Sequence, residues 1–309
     1  MSIESATVEP GAGRPAAIRT RAERVPAPTY FAVSATFHYL GPAFAVLLFV
    51  HVDPLGVTWL RIVGAAAIFA VWRRPWRVLA RATSDQRRRL VGLGVVLALM
   101  NASFYLAVDR LPLSTVGAVE FVGVIGLAVV GLRSGRNTVA LGLVVVGVAV
   151  LADIRLASEP LGFAFAFANC ALFVAYVMLG HRIAQSARTE AGGWSGIDQL
   201  GAAMLVAAVV ATPIGLTAAT PALADPILLL AGLGVAICSS VIPYVTDQLA
   251  MARLPRETFA LMLALLPVFA VVIGVIVLRQ LPTVGELLGI AVVVAGVALH
   301  EAPAPQEDE

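Results

Sequence analysis

Apolar residues occur along this chain in long continuous runs rather than in alternation with polar residues. The runs last 14 to 25 residues and are separated by short segments rich in Arg, Gly and Pro. An α-helix of about 20 apolar residues crosses the hydrocarbon core of a bilayer, and a backbone in lipid has to satisfy its own hydrogen bonds. Continuous runs of this length therefore predict transmembrane helices, whereas alternation would favour barrel strands.

Ten spans are predicted, and the fifth of them is short. They are Tyr30–Val50, Gly56–Trp72, Leu90–Val108, Leu113–Leu132, Val139–Ala152, Leu161–Gly180, Leu200–Thr217, Pro226–Ala250, Phe259–Leu278 and Val284–Leu299.

Composition supports a bilayer as the surroundings of most of the chain. Of 309 residues, 60% are hydrophobic and 13% are charged, and the mean hydropathy is +0.92. A soluble domain is about half apolar and a quarter charged. The fold class predicted is an all-α membrane protein. No His/Cys cluster has zinc spacing and no phosphate-binding loop is present, so we expect no metal, no cofactor and no ATP hydrolysis.

The arginines predict an orientation. All 21 basic residues are Arg. With ten spans and a cytoplasmic N-terminus, 17 of them lie inside, three lie outside and Arg61 lies within a span. The outside ones are Arg110, Arg155 and Arg279. Cytoplasmic loops carry such an excess of positive charge, so we expect a multi-pass inner-membrane protein with both termini cytoplasmic. We expect no nucleic-acid partner, and a homodimer is left open.

An internal repeat indicates two inverted halves. Leu106–Thr115 matches Leu249–Thr258 at six of ten positions with an offset of 143, and Val144–Val150 resembles Val292–Leu299 with an offset of 149. Five spans per half is an odd number, so the second half is upside down relative to the first. We divide the chain into a disordered cytoplasmic tail (1–28), a first five-helix repeat (29–155), a second five-helix repeat (156–300) and an acidic cytoplasmic tail (301–309). Inverted repeats are typical of secondary transporters, whose site lies near the midplane, although a duplicated bundle can also be an inert scaffold.

Several motifs resemble the EamA-type transporters of the drug/metabolite transporter superfamily, and within it the bacterial threonine/homoserine exporter group. They are Phe37–Phe44 (FHYLGPAF), Trp59–Arg61 (WLR), Met100–Pro112 (MNASFYLAVDRLP), Val119–Phe121 (VEF), Ser239–Tyr244 (SSVIPY), Arg253–Pro255 (RLP) and Leu288–Gly296 (LGIAVVVAG). The resemblance implies ten helices in two repeats and export of a small metabolite.

The chain also departs from the family pattern. Val124 stands where the family tends to have proline, Leu266-Pro267 where it tends to have Glu-Pro, and Leu278-Arg279 where it often has Gly-Glu. The second half thus lacks acidic groups that the family usually carries there.

Glu120 is the sharpest candidate for a functional residue. It lies seven residues into an apolar span, which is about 10 Å deep at 1.5 Å per residue. A carboxylate at such depth costs about 3 kcal/mol on insertion scales, so it should face the bundle interior or water. It is a partner of a substrate amine, a proton-coupling carboxylate, or a structural hydrogen-bond partner between helices.

Polar residues share faces of two further spans. Asn101 and Tyr105 are four residues apart, and so are Ser240 and Tyr244, with Asp247 on the same face. Tyr244 corresponds to Asn101 at the offset of 143. These groups suit the carboxylate and ammonium groups of an amino acid, or they join helices as polar contacts. Asp247 is either a proton-coupling or gating group, or an exposed carboxylate near the cytoplasmic end.

His38 and Tyr176 complete the candidate substrate contacts. His38 lies three residues before Gly41-Pro42, a pair that can break a helix, and it is a substrate contact, a proton relay or a hydrogen-bonded buried histidine. Tyr176 shares a face with Asn169, which we expect to bond between helices. Arg61 either snorkels to the interface or holds a carboxylate in a gating role.

The function predicted is a secondary transporter that exports small amino acids or related polar metabolites by alternating access, proton-linked or facilitated. An exporter of another metabolite or drug class is the alternative. A membrane-embedded enzyme would need paired carboxylates, a metal cluster or a nucleophile with its base, and the spans contain none, so we expect no catalytic residues. A channel would need a ring of like residues, which is equally lacking.

Overall fold

The structure, a computed structural model, describes residues 27–131, 134–155, 159–189, 194–253 and 266–299, and every regular element in these ranges is a helix. The predicted tails before residue 27 and at 301–309, and the first part of the ninth predicted span, lie outside the described residues. The elements are α1 (Ala27–Leu48), α2 (Pro54–Arg73), α3 (Trp76–Arg81), α4 (Ser84–Val108), α5 (Leu113–Gly131), α6 (Gly135–Arg155), α7 (Pro160–Thr189), α8 (Gly196–Gly215), α9 (Thr220–Leu223), α10 (Pro226–Ala236), a π-helical turn (Ile237–Val241), α11 (Ile242–Met251), α12 (Leu266–Leu278) and α13 (Val284–Leu299).

Within the described residues, six helical stretches have the length and apolar composition to cross a membrane: Thr29–Leu48, Pro54–Arg73, Ser84–Val108, Pro160–Ala184, Gly196–Gly215 and Pro226–Met251. Shorter apolar helices cover Gly135–Val150, Phe269–Leu278 and Val284–Gly296. The fold is therefore an all-α, multi-pass membrane fold, which confirms the class predicted from the apolar runs.

The fifth predicted span is longer than its apolar pattern indicates. The run Val139–Ala152 lies within α6, a helix of 21 residues. At 1.5 Å per residue, this helix is about 31 Å long, which matches the hydrocarbon thickness. The apolar pattern stops early because the helix continues through Arg136 at one end and Asp153 at the other.

Polar side chains set where the apolar helices begin. Asp53 accepts a hydrogen bond from the backbone N–H of Leu55 at 2.9 Å at the start of α2. Thr83 and Ser195 form capping boxes with residues three positions on, at the starts of α4 and α8. Such caps satisfy N–H groups that have no partner inside the helix, so the short polar loops define the ends of the spans.

The helix pairings follow a regular pattern. Helix α6 packs on α13, and α2 packs on α8. Helix α4 contacts α7 and α8, while the segment from α10 to α11 contacts α1 and α2. Helix α5 contacts α7 and α12, and α12 contacts α1. If each helix before residue 156 is exchanged with the helix in the corresponding position after it, the same set of pairings results.

Two glycines let the backbones of α6 and α13 touch. A Cβ atom on Gly147 would lie 2.6 Å from the carbonyl oxygen of Gly289, and one on Gly296 would lie 2.7 Å from that of Ala140. Neither position has room for a side chain. Gly147 and Gly296 are 149 residues apart, and so are Ala140 and Gly289, so the two contacts are images of each other at the offset of the sequence repeat.

Helix α1 runs through Gly41 and Pro42 without a break. The irregular backbone lies opposite, in the π-helical turn between α10 and α11. A Cβ on Gly41 would lie 2.6 Å from the Cα of Ser239, so only glycine allows α1 to approach the turn this closely. Single π turns within helices are frequent at functional sites, and here the turn carries two serines into the interior.

Candidate functional site

Glu120 is buried in the helix bundle, with its side chain 3% exposed. The hydroxyl of Tyr39 on α1 donates to Glu120 Oε2 at 3.2 Å, and the amide of Asn169 on α7 donates to Oε1 at 2.7 Å. Each carboxylate oxygen thus receives one hydrogen bond from another helix. A buried charge requires such partners, and a carboxylate can accept further donors beyond these two.

Arg61 is also buried, at 5% exposed. Its Nε donates to Ser240 Oγ at 2.8 Å, and its Nη2 donates to the carbonyl oxygen of Ser239 at 2.5 Å and to the hydroxyl of Tyr244 at 3.4 Å. The snorkelling interpretation of Arg61 is therefore wrong: the guanidinium points inward to the π-helical turn rather than to an interface. No carboxylate of the described residues lies within ion-pair distance of it.

Two tyrosine rings flank this guanidinium, and an asparagine is bonded to one of them. The Arg61 Cζ lies 5.3 Å from the ring centre of Tyr105 and 5.9 Å from that of Tyr244, distances at which an aromatic face attracts a cation. The amide of Asn101 donates to the hydroxyl of Tyr244 at 3.2 Å. The structure thus brings Asn101, Tyr105, Ser240 and Tyr244 together around Arg61.

Arg61 and Glu120 line the same small cavity between α1, α2, α4, α5, α7 and α11. Its volume is about 20 Å³, which is room for about one water molecule. Its polar lining consists of His38, Arg61, Asn101, Glu120, Asn169 and Tyr244. We call it the central cavity. It contains one potential anion and one guanidinium.

Asp247 lies in a second, smaller cavity. Its side chain is 5% exposed, so the exposed position near the cytoplasmic end is wrong. The hydroxyl of Ser34 donates to its Oδ1, and the hydroxyl of Tyr176 donates to its Oδ2 at 3.1 Å. This cavity has a volume of about 10 Å³, and we call it the Asp247 cavity.

His38 and Phe173 line both cavities. The imidazole of His38 packs edge-on against the rings of Tyr39 and Phe173, with ring centres 5.3 Å and 5.8 Å apart. The rings of Tyr176 and Tyr244 are also in contact, at 5.5 Å. The side chains of His38 and Phe173 therefore lie between the two cavities.

Three residues at this site were not predicted from the sequence: Tyr39, which donates to Glu120, and Ser34 and Phe173, which line the cavities. Tyr39 and Phe173 are aromatic residues within apolar spans, where nothing in the pattern separates a carboxylate partner from ordinary core. Ser34 lies four residues before His38, so it shares that residue's face of α1, and this spacing is a signal that could have found it. Asn169, expected as a contact between helices, does bond between helices, but its acceptor is Glu120.

Comparisons with known proteins establish the family. Residues 160–300 match the EamA-like transporter family. Over 258 residues the chain is 32% identical to the threonine/homoserine exporter RhtA of Escherichia coli strain K12 and 31% identical to RhtA of Salmonella typhimurium strain LT2. Each match covers 82% of this chain and 84% of the relative. The chain belongs to the EamA-like transporter family.

Membership of this family makes the chain a multi-pass inner-membrane transporter and not an enzyme. A solved crystal structure superposes on the chain with a TM-score of 0.55 at 18% identity, covering 88% of this chain and 96% of that one. At this identity the likeness concerns the fold alone. In the described part of the chain, no group of three His, Cys, Asp or Glu residues could hold a metal ion.

Proposed function

We propose that this EamA-like transporter exports small amino acids of the threonine and homoserine kind from the cytoplasm by alternating access. The substrate binds in the central cavity, between two inverted five-helix halves. The observation that carries the proposal is the buried Glu120 on this cavity, because a carboxylate there can bind the ammonium group of an amino acid. Both relatives are threonine/homoserine exporters by name, which supports the same substrate class.

The helix pairings support ten spans in two inverted repeats, 29–155 and 156–300. Exchange of the two halves reproduces the pairings, and the Gly147 and Gly296 contacts at the crossing of α6 and α13 are images of each other. A two-fold axis in the membrane plane would relate such halves, as in other transporters with inverted repeats.

Contacts at the helix ends fit the same topology. At one end, Arg73 of α2 pairs with Asp198 of α8 at 2.7 Å. At the other end, the side chain of Gln280 accepts a hydrogen bond from the backbone N–H of Leu113 at 3.2 Å, which ties the α12–α13 loop to the start of α5. With ten spans and cytoplasmic termini, the first contact is cytoplasmic and the second is external.

The small size of the central cavity implies that the site has to open during the transport cycle. Room for about one water molecule is too little for threonine, so the substrate enters when the halves separate on the cytoplasmic side. It leaves when they separate on the external side, where the Gln280–Leu113 contact has to open. Between these two steps the site is closed to both sides of the membrane, which distinguishes a carrier from a pore.

Asp247 and His38 provide a route for proton coupling. Asp247 lies in the adjoining cavity, and His38 lines both. In this proposal Asp247 takes up a proton as the amino acid leaves Glu120 and releases it on the cytoplasmic side. The substrate and the proton then bind to two separate carboxylates.

A resistance assay tests the export function. The protein is expressed in a host that lacks its own amino-acid exporters, and growth is followed at toxic levels of threonine or homoserine. Wild type should protect, Glu120→Gln should not, and Asp85→Asn should protect as wild type does because Asp85 is an exposed carboxylate paired with Arg89 on α4. If wild-type protein in the membrane protects against no amino acid, the proposed function is wrong.

A further inference from the structure

Arg61 is a buried cation, and among the described residues no carboxylate lies within ion-pair distance of it. Its three hydrogen bonds go to a hydroxyl oxygen of Ser240, a carbonyl oxygen of Ser239 and the hydroxyl of Tyr244. All three acceptors are neutral, and Nη1 has no acceptor among the described residues. A buried guanidinium is normally stabilised by an anion. Glu120 acts on Arg61 across the central cavity without contact, so a ligand carboxylate can take the place of a direct counter-ion.

We propose that this counter-ion is the carboxylate of the transported amino acid. Arg61 binds the substrate carboxylate and Glu120 binds its ammonium group, so the protein transports zwitterions and requires both ends of the amino acid to be free. This inference rests on the proposed function and names the second half of its binding site.

The geometry of Arg61 suits this role. The bonds to the π-helical turn hold Nε and Nη2, and the faces of Tyr105 and Tyr244 flank the guanidinium. These contacts fix the plane of the guanidinium and leave Nη1 available to a ligand, and Arg61 is part of the lining of the central cavity. A preoriented guanidinium nitrogen binds a carboxylate oxygen through a charge-assisted hydrogen bond, which is stronger than a bond between neutral groups.

The two charges of the central cavity complement the two ends of a zwitterion. With Glu120 ionised, the cavity carries one positive and one negative charge that are not paired with each other. A substrate with an ammonium group alone would leave Arg61 unpaired in a dry site, and one with a carboxylate alone would leave Glu120 unpaired. Unpaired buried charges of this kind reject a ligand strongly.

The polar groups of the π-helical turn hold the guanidinium of Arg61. The π-helical turn carries Ser239 and Ser240, whose oxygens both accept from Arg61. Gly41 lets α1 lie directly on this turn. The irregular backbone therefore positions the guanidinium, which in turn faces the cavity.

Competition in counterflow tests the inference. Purified wild-type protein in liposomes exchanges labelled threonine, and threoninamide and N-acetylthreonine are added as competitors. The first lacks the carboxylate and the second lacks the ammonium group. We expect both to compete at least tenfold more weakly than threonine. Arg61→Gln should reduce threonine exchange at least tenfold and bring threonine and threoninamide within twofold of each other as competitors.

A matched variant and a second measurement complete the test. Arg87→Gln makes the same substitution at an exposed arginine on α4 and should leave the preference unchanged. If Arg61→Gln does not fold, the inference is tested by thermal unfolding of the wild-type protein. Threonine should raise its Tm and threoninamide should not. Threonine exchange with equal competition by threoninamide would overturn the inference and leave the export function standing. No exchange of any amino acid by wild type would overturn both.

Discussion

At the scale of single residues, the position of Glu120 depends on Asn169. The amide of Asn169 makes the shorter of the two hydrogen bonds to this carboxylate, at 2.7 Å. Asn169→Ala leaves a buried charged oxygen without its donor, which costs about 1–3 kcal/mol. We expect chemical unfolding in detergent to show this loss, together with slower threonine exchange.

Thr36→Ala is the control for this variant. The Thr36 hydroxyl bonds only within α1, to the carbonyl oxygen of Ala32, so its removal should change stability by a few tenths of a kcal/mol at most. Equal stability of the Asn169 and Thr36 variants would show that Asn169 does not support the carboxylate.

Asp247 should be needed for coupling rather than for substrate binding. Asn at this position can still accept a hydrogen bond but takes up no proton. We expect Asp247→Asn to retain threonine counterflow within twofold of wild type and to lose accumulation driven by a pH gradient. Asp225→Asn is the control, because Asp225 caps α10 through the N–H of Ile227 and Asn caps as well. Gradient-driven accumulation by Asp247→Asn at the wild-type level would exclude the coupling role.

Sequence reasoning locates the candidate residues only in part, because their roles depend on distant contacts. The depth of Glu120 in an apolar span is enough to predict that it faces inward, since a charge in lipid is costly. The environment of Arg61 is not predictable in this way, because its partners Ser239, Ser240 and Tyr244 are about 180 positions away in the chain. Tyr39 was missed because a tyrosine in an apolar span resembles core packing.

At the scale of helices, the crossing of α6 and α13 depends on its glycines. Gly147→Ala places a Cβ against the backbone of α13, and such overpacking costs about 1–3 kcal/mol. Gly142→Ala on the same helix has nothing within 4 Å of the new Cβ, so it should be neutral or stabilising by up to about 1 kcal/mol. Gly296→Ala should behave as Gly147→Ala does. Equal stability of Gly147→Ala and Gly142→Ala in unfolding curves would contradict the close contact between α6 and α13.

Helix positions were largely predictable, and helix ends and breaks were not. Long apolar runs identify the spans because lipid allows little else. The run Val139–Ala152 understated α6, since polar residues continue a helix beyond the hydrocarbon. The Gly41-Pro42 pair indicated a possible break, whereas the irregular turn lies at Ile237–Val241 on the facing segment.

At the scale of the whole molecule, the inverted topology predicts which loops are external. With Cys170 and Cys238 replaced by Ala, single cysteines at the exposed positions His51, Arg77 and Leu281 report on three loops. We expect an impermeant maleimide to label His51→Cys and Leu281→Cys in intact spheroplasts, and Arg77→Cys only after permeabilisation. Protection of Leu281→Cys in intact spheroplasts would contradict an odd number of spans per half.

Counterflow by the purified protein is the most direct measurement of a carrier with Glu120 in its site. Liposomes are loaded with unlabelled threonine and diluted into a trace of labelled threonine, without any ion gradient. A carrier whose single site faces each side in turn should accumulate label transiently above equilibrium, and Glu120→Gln should reduce this overshoot to the level of empty liposomes. Equilibration of the label without an overshoot would indicate a pore, and an unchanged overshoot in Glu120→Gln would remove Glu120 from the site.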